Sequence, residues 1–96
     1  MFILITYDVS TETPGGKKRL RQVAKTCQDY GQRVQNSVFE CVADTGLFLK
    51  IKDRLLKIVN RETDSLRFYL LGNDQKGKVE HYGIKPSFNV NDPIIL

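Results

Sequence analysis

Apolar and polar positions along this 96-residue chain follow two rhythms, a period of two and a period near 3.6, and their succession predicts the elements. Phe2 to Val9 is short, rich in β-branched and aromatic residues, and free of Gly and Pro, which predicts a central strand buried on both faces. Side chains alternate along a strand, so Ile3, Ile5, Tyr7 and Val9 share one face while Phe2, Leu4, Thr6 and Asp8 share the other. After a polar loop from Ser10 to Gly16, Leu20, Val23, Ala24 and Cys27 recur at helical spacing. The helix is expected to start near Gly16 or Lys17 and to end at Gly31 as a C-terminal cap.

The segment from Arg33 to Ala43 alternates like a strand but slips at Asn36 and Ser37, predicting two short strands or one bent strand. Asp44, Thr45 and Gly46 introduce a second helix with Phe48, Ile51, Leu55, Ile58 and Val59 as its buried stripe. Ser65 to Leu71 is another strong strand, Gly72 to Lys78 a turn-rich loop, and Val79 to Tyr82 a short strand. Pro86 to Pro93 reads as irregular before the apolar end Ile94 to Leu96. The order is that of an α+β, ferredoxin-like βαββαβ fold with an extra C-terminal strand and two helices on one face of an antiparallel sheet. One domain over residues 1–96 is expected, with 79–96 as an extension suited to an edge or a swapped strand.

Laying both helices on one face leaves the other open, and on the first strand both faces carry apolar residues. Leaving Phe2 and Leu4 wet forgoes roughly 1.5–3 kcal/mol per side chain, so a second copy is the simplest cover. A two-fold contact through the open face would also bring Asp8 near its symmetry mate. The residues alone leave two roles for Asp8, a cap on the following loop or half of a carboxylate pair.

Charge changes this picture in one place. Fifteen Lys and Arg against eleven Asp and Glu give +4 and a pI near 9.2. Lys17, Lys18, Arg19, Arg21 and Lys25 lie within nine residues with no acid among them, whereas Lys50, Lys52, Arg54, Lys57 and Arg61 are diluted by Asp53 and Glu62. Such runs mark either a solvated helix face or a surface for a polyanion.

Other chemistries find little support. Cys27 and Cys41 lack metal-site spacing and fall on core faces, so reduced, buried thiols are expected. The single histidine, His81, has no nucleophile that can be placed beside it and reads as an exposed polar residue. There is no Walker or G-x-G-x-x-G motif and no zinc ligand set, and Gly15 to Lys18 is only a weak hint of anion binding. No signal peptide and no apolar stretch of membrane-spanning length are read, which predicts a cytoplasmic protein with no membrane partner. A paired Asp8 with phosphate oxygens is chemically sufficient for Mg²⁺, and Arg19, Arg21 and Arg33 suit backbone phosphates. Tyr7 and Phe39 read as core residues rather than stacking platforms. The residues thus support a polyanion-binding dimer with a candidate metal site and do not establish catalysis.

Ile5-Thr-Tyr-Asp-Val9, Lys18-Arg19-Leu-Arg21 and the stretch Tyr30 to Glu40 with its Arg-Val-Gln-Asn-Ser-Val-Phe-Glu run together resemble a known family. Over nearly the whole chain the sequence is similar to the small, ferredoxin-like CRISPR-associated adaptation proteins, partners of the CRISPR integrase that are also described as metal-dependent endonucleases. The resemblance implies a homodimer in which Asp8 of each subunit ligates Mg²⁺ or Mn²⁺ and carries catalysis. It implies nucleic-acid contacts from Lys18, Arg19, Arg21 and Arg33, with Tyr7 and Phe39 shaping the site. It also implies hydrolysis of double-stranded DNA or single-stranded RNA, and a place beside the integrase subunit during spacer acquisition. A non-catalytic architectural role, bridging the integrase on DNA, and a toxin-like ribonuclease of the same fold are the competing readings. The loop Ser10 to Gly16 offers Glu12 as its only acid.

Overall fold

The computed structural model describes residues 1–72 and 77–84. The expected elements form in the expected order: β1 (Phe2–Asp8), α1 (Gly16–Tyr30), β2 (Gln32–Gln35), β3 (Val38–Val42), α2 (Thr45–Ile58), β4 (Ser65–Leu71) and β5 (Lys78–Gly83). The sheet runs β2-β3-β1-β4-β5, and every neighbouring pair is antiparallel. This is the α+β, ferredoxin-like arrangement with a fifth strand added beside β4. β1 is central, as its doubly apolar sequence requires.

The alternation on β1 resolves as the pattern demands. Ile3, Ile5, Tyr7 and Val9 enter the core, while Asp8 is exposed with Phe2 on the opposite, helix-free face. The two helices close the core from one side: Val23 and Cys27 of α1, and Phe48, Ile51 and Leu55 of α2, meet Phe39, Leu66, Phe68 and Leu70 of the sheet. Phe48 meets Phe68 edge-on at 5.3 Å between ring centroids, and Tyr7 stacks on Phe39 at 6.2 Å. Tyr7 and Phe39 are therefore core residues, 5% and 0% exposed.

The slip at Asn36 and Ser37 is a tight turn between β2 and β3, and a register shift between Arg33 and Gln35 adds an irregularity just before it. Asp44 caps α2 by accepting from the Leu47 N–H at 2.8 Å. Gly31 caps α1 as expected, its N–H donating to the Cys27 carbonyl at 2.9 Å; its backbone is extended, and a Cβ there would meet the Glu40 carbonyl and Cys41. Close packing of the α1–β2 junction on β3, not a turn of opposite hand, is what calls for glycine. Cys27 and Cys41 are free and buried; burial, reinforced by the nearby Cys41, pushes the Cys27 thiol up to about 12. β5 is held to α2 through Lys52, whose ammonium reaches Glu80 at 2.9 Å. The expectations for Pro86 to Pro93 and for Ile94 to Leu96 lie outside the described residues.

A buried ion pair ties three elements together. Asp64, fully buried before β4, accepts from Arg19 Nε of α1 at 2.9 Å, from the Ser10 N–H after β1 at 3.0 Å and from the Asn60 N–H at 2.9 Å. The Thr63 hydroxyl donates to it as well. Arg19 also donates to the Pro14 carbonyl and the Thr13 hydroxyl, so the loop after β1 is pinned along its length. Burial alone would raise the Asp64 carboxyl, but the Arg19 guanidinium and the Asn60, Ser10 and Thr63 donors outweigh it and hold the group below its ordinary value of 3.8.

Arg19→Ala is expected to destabilise the fold by about 3–5 kcal/mol in urea unfolding, because it strands a buried carboxylate. Asp64 has a lowered folded pKa, so its contribution is present at neutral pH and is lost as pH falls below about 4. Stability measured from pH 7 to 3 should accordingly fall more steeply for the wild type than for Asp64→Asn. Gly16→Ala, whose Cβ would run into the Ser10 carbonyl, should cost about 1–3 kcal/mol by the same unfolding measurement.

Candidate functional site

The strand register fixes what stands around Asp8. Across the β1–β4 ladder Asp8 faces Ser65, Thr6 faces Arg67, Leu4 faces Tyr69 and Phe2 faces Leu71. On the other side of β1, Phe2 faces Val42, Leu4 faces Glu40 and Thr6 faces Val38. β5 adds Gly83, His81 and Val79 to the same rows. The open face therefore has two halves. One end is apolar and wet, with Phe2 38%, Val42 72%, Leu71 44% and Val79 46% exposed. The other end carries Thr6, Asp8, Ser65, Arg67 and His81.

Within the polar half, Arg67 is oriented by its neighbours. Its Nε donates to His81 Nδ1 at 3.2 Å, and its Nη1 to the Tyr69 hydroxyl at 3.2 Å. His81 Nε2 lies 2.7 Å from the Ile84 carbonyl, an acceptor, so Nε2 carries the proton and Nδ1 is the lone-pair nitrogen that takes Arg67. His81 is thus half-buried and engaged, not merely an exposed polar residue. The Asp8 carboxylate is different: it is exposed and has no hydrogen bond or ion pair among the described residues.

The cations read from the sequence separate into two kinds. Lys18 and Arg21 lie exposed on the first turns of α1, together with Lys17, and no ion pair engages them among the described residues. That helix start has no acid in its first turn and no side-chain cap. Arg33 lies over the Phe39 ring at 5.0 Å and donates to the Asn36 carbonyl, with its residue exposed at the β2 edge. Arg19 corrects the expectation of a solvent-facing contact residue. It sits one turn before Val23, on the inward side of α1, and is committed to Asp64. The second basic group is largely neutralised: Lys52 meets Glu80, Lys57 meets Asp53 and Arg54 meets Asp29.

The end of β1 and the start of α1 are joined by the pinned loop from Val9 to Gly15, so the Asp8 carboxylate and the cations Lys17, Lys18 and Arg21, all without ion pairs among the described residues, share one end of the sheet. No group of three His, Cys, Asp or Glu residues able to hold a metal occurs within one chain among the described residues. Asp8 nonetheless suits a hard divalent ion, which takes one or two carboxylates and fills its shell with water and phosphate oxygens. Sequence reasoning missed Asp64 and Ser65. Asp64 is indistinguishable by type from the solvated Glu62 two residues earlier; the available signal was the inward helical position of Arg19, which demands a buried acid somewhere.

Comparison with known proteins agrees with this architecture. The model of the family described as CRISPR associated protein Cas2 matches residues 1–79. A relative from Halalkalibacterium halodurans, a CRISPR-associated endonuclease Cas2, is 58% identical over 96 residues, covering 100% of each chain. A CRISPR-associated endoribonuclease Cas2 from Nitratidesulfovibrio vulgaris is 57% identical over 96 residues, covering 100% of this chain and 94% of the relative. Among solved structures, the crystal structure of Streptococcus pyogenes Cas2 at pH 6.5 superposes with a TM-score of 0.69 at 62% identity, covering 79% of this chain and 92% of that one. With a family match over most of its length and relatives of this identity along all of it, the chain belongs to the Cas2 family of CRISPR-associated proteins.

Proposed function

We propose that this chain acts as a homodimeric endonuclease that hydrolyses phosphodiester bonds with Mg²⁺ or Mn²⁺, in the spacer-acquisition branch of a CRISPR system. The observation that carries the reading is the exposed Asp8 carboxylate, without a partner among the described residues, at the same end of the sheet as the acid-free, cation-rich start of α1. The relatives' names support it, since one is an endonuclease and the other an endoribonuclease. Double-stranded DNA and single-stranded RNA are both substrates that this chemistry admits.

The chain's own residues divide the work. Lys17, Lys18 and Arg21 hold the phosphate backbone without reading bases, and Arg33 extends that surface along β2. Arg19 and Asp64 keep the loop and the helix start in place, so Arg19 acts through position and not through contact with the nucleic acid. A second copy covers the apolar half of the open face and supplies the second Asp8. A divalent ion held by the two carboxylates would neutralise charge developing on the phosphate and ready a water for attack.

A second reading has its own support. Each chain offers one carboxylate at the site and no three-residue ligand group among the described residues, which suits an architectural DNA-binding subunit that bridges the integrase without cutting.

Purified wild-type protein should cleave linear duplex DNA or single-stranded RNA with Mg²⁺ or Mn²⁺. EDTA and Asp8→Asn should each abolish cleavage; activity that persists equally in the variant, or is absent throughout, leaves only the bridging role. Lys18→Ala with Arg21→Ala should weaken nucleic-acid binding and flatten its salt dependence by about one unit of log–log slope per lost phosphate contact, with the melting temperature unchanged. Arg19→Ala should lower that temperature as well, which separates a positioning role from a contact role in one thermal melt.

A further inference from the structure

Ser65 is the side chain directly opposite Asp8 across the β1–β4 ladder. Opposed residues of an antiparallel pair share a face and carry Cβ atoms about 4.5–5.5 Å apart. A hydroxyl and a carboxylate leaning into that gap can meet at about 2.5–2.7 Å, the length of a charge-assisted O–H···O⁻ bond. Ser65 is half-buried, and its hydroxyl, like the Asp8 carboxylate, has no hydrogen-bond partner among the described residues.

The backbone at both residues is held. Asp64 immediately precedes Ser65, and its carboxylate takes the N–H of Ser10, two residues beyond Asp8. In the next row Thr6 faces Arg67, whose guanidinium is drawn to His81 and to Tyr69, two residues further from Ser65 along β4. In the same row as Asp8 and Ser65, β5 contributes Gly83, which has no side chain to compete.

Resting on the reading of Asp8 as a divalent-ion ligand, we infer that Ser65 is a positioning residue of that site: its hydroxyl donates to the Asp8 carboxylate and fixes the orientation in which the carboxylate meets the ion. Supporting hydrogen bonds of this kind set ligand direction, and losing one typically costs about 10- to 100-fold in affinity for the ion. Ser65 touches neither substrate nor ion in this role.

The test is Mn²⁺ binding to the purified full chain, followed by the free-ion electron paramagnetic resonance signal, for wild type, Ser65→Ala, Ser65→Thr and Asp8→Asn, each with a thermal melt. Ser65→Ala should weaken binding about 10- to 100-fold at an unchanged melting temperature, and Ser65→Thr, which keeps the hydroxyl, should restore most of it. Asp8→Asn should bind no Mn²⁺ at the site. If Ser65→Ala binds like the wild type while Asp8→Asn does not, the inference is overturned and the Asp8 reading stands. If Asp8→Asn binds like the wild type, the Asp8 reading itself fails and Ser65 falls with it. Weak binding in both Ser65 variants together with lowered melting temperatures would mark a merely structural residue.

Discussion

A single buried carboxylate sets the geometry on which the rest depends. Taking Asp64 out of water is costly, and the cost is met only because Arg19, two backbone N–H groups and the Thr63 hydroxyl converge on it. Those donors come from the loop after β1, the first turns of α1 and the turn before β4. Satisfying one charge therefore brings together the chain segments that carry Asp8, Ser65, Lys18 and Arg21. The pair is better regarded as a device for fixing relative position than as a source of net stability, since buried ion pairs often gain little over apolar packing.

The open face shows a division of labour along one strand. Phe2 and Asp8 lie on the same side of β1, six residues apart, so the apolar end and the charged end of the face are about 20 Å from one another. An apolar end without helices to cover it asks for another surface, and the Asp8 carboxylate, exposed and without an ion pair among the described residues, suits an ion. Neither demand interferes with the other because the strand is long enough to keep them apart.

Much of this was legible in the sequence. The two-residue period over Phe2 to Val9 gave the correct inward and outward sets, and the helical stripe from Leu20 to Cys27 gave α1 within a residue at each end. The slip at Asn36 and Ser37 marked a true turn. Periodicity reports which side of an element a residue occupies, and these judgements needed nothing else. It does not report partners across the sheet. Ser65 stands beside Asp8 only because β1 and β4 pair in one register, and Asp64 is buried only because Arg19 happens to reach it. The charge of Arg19 suggests the surface, whereas its place one turn from Val23 puts it on the inner side, paired with Asp64.

The neutralisation of α2 has a kinetic consequence. With Lys52, Arg54 and Lys57 answered by nearby acids, Lys17, Lys18 and Arg21 at the start of α1 form the closest run of cations without an ion pair among the described residues. A lopsided field would exert a torque on an approaching polyelectrolyte as well as a pull, and under the proposed role the chain would arrive already turned with that end foremost. Orientation is then partly settled during the diffusional encounter, before any short-range contact forms, and the search for a productive pose begins from a biased set of collisions.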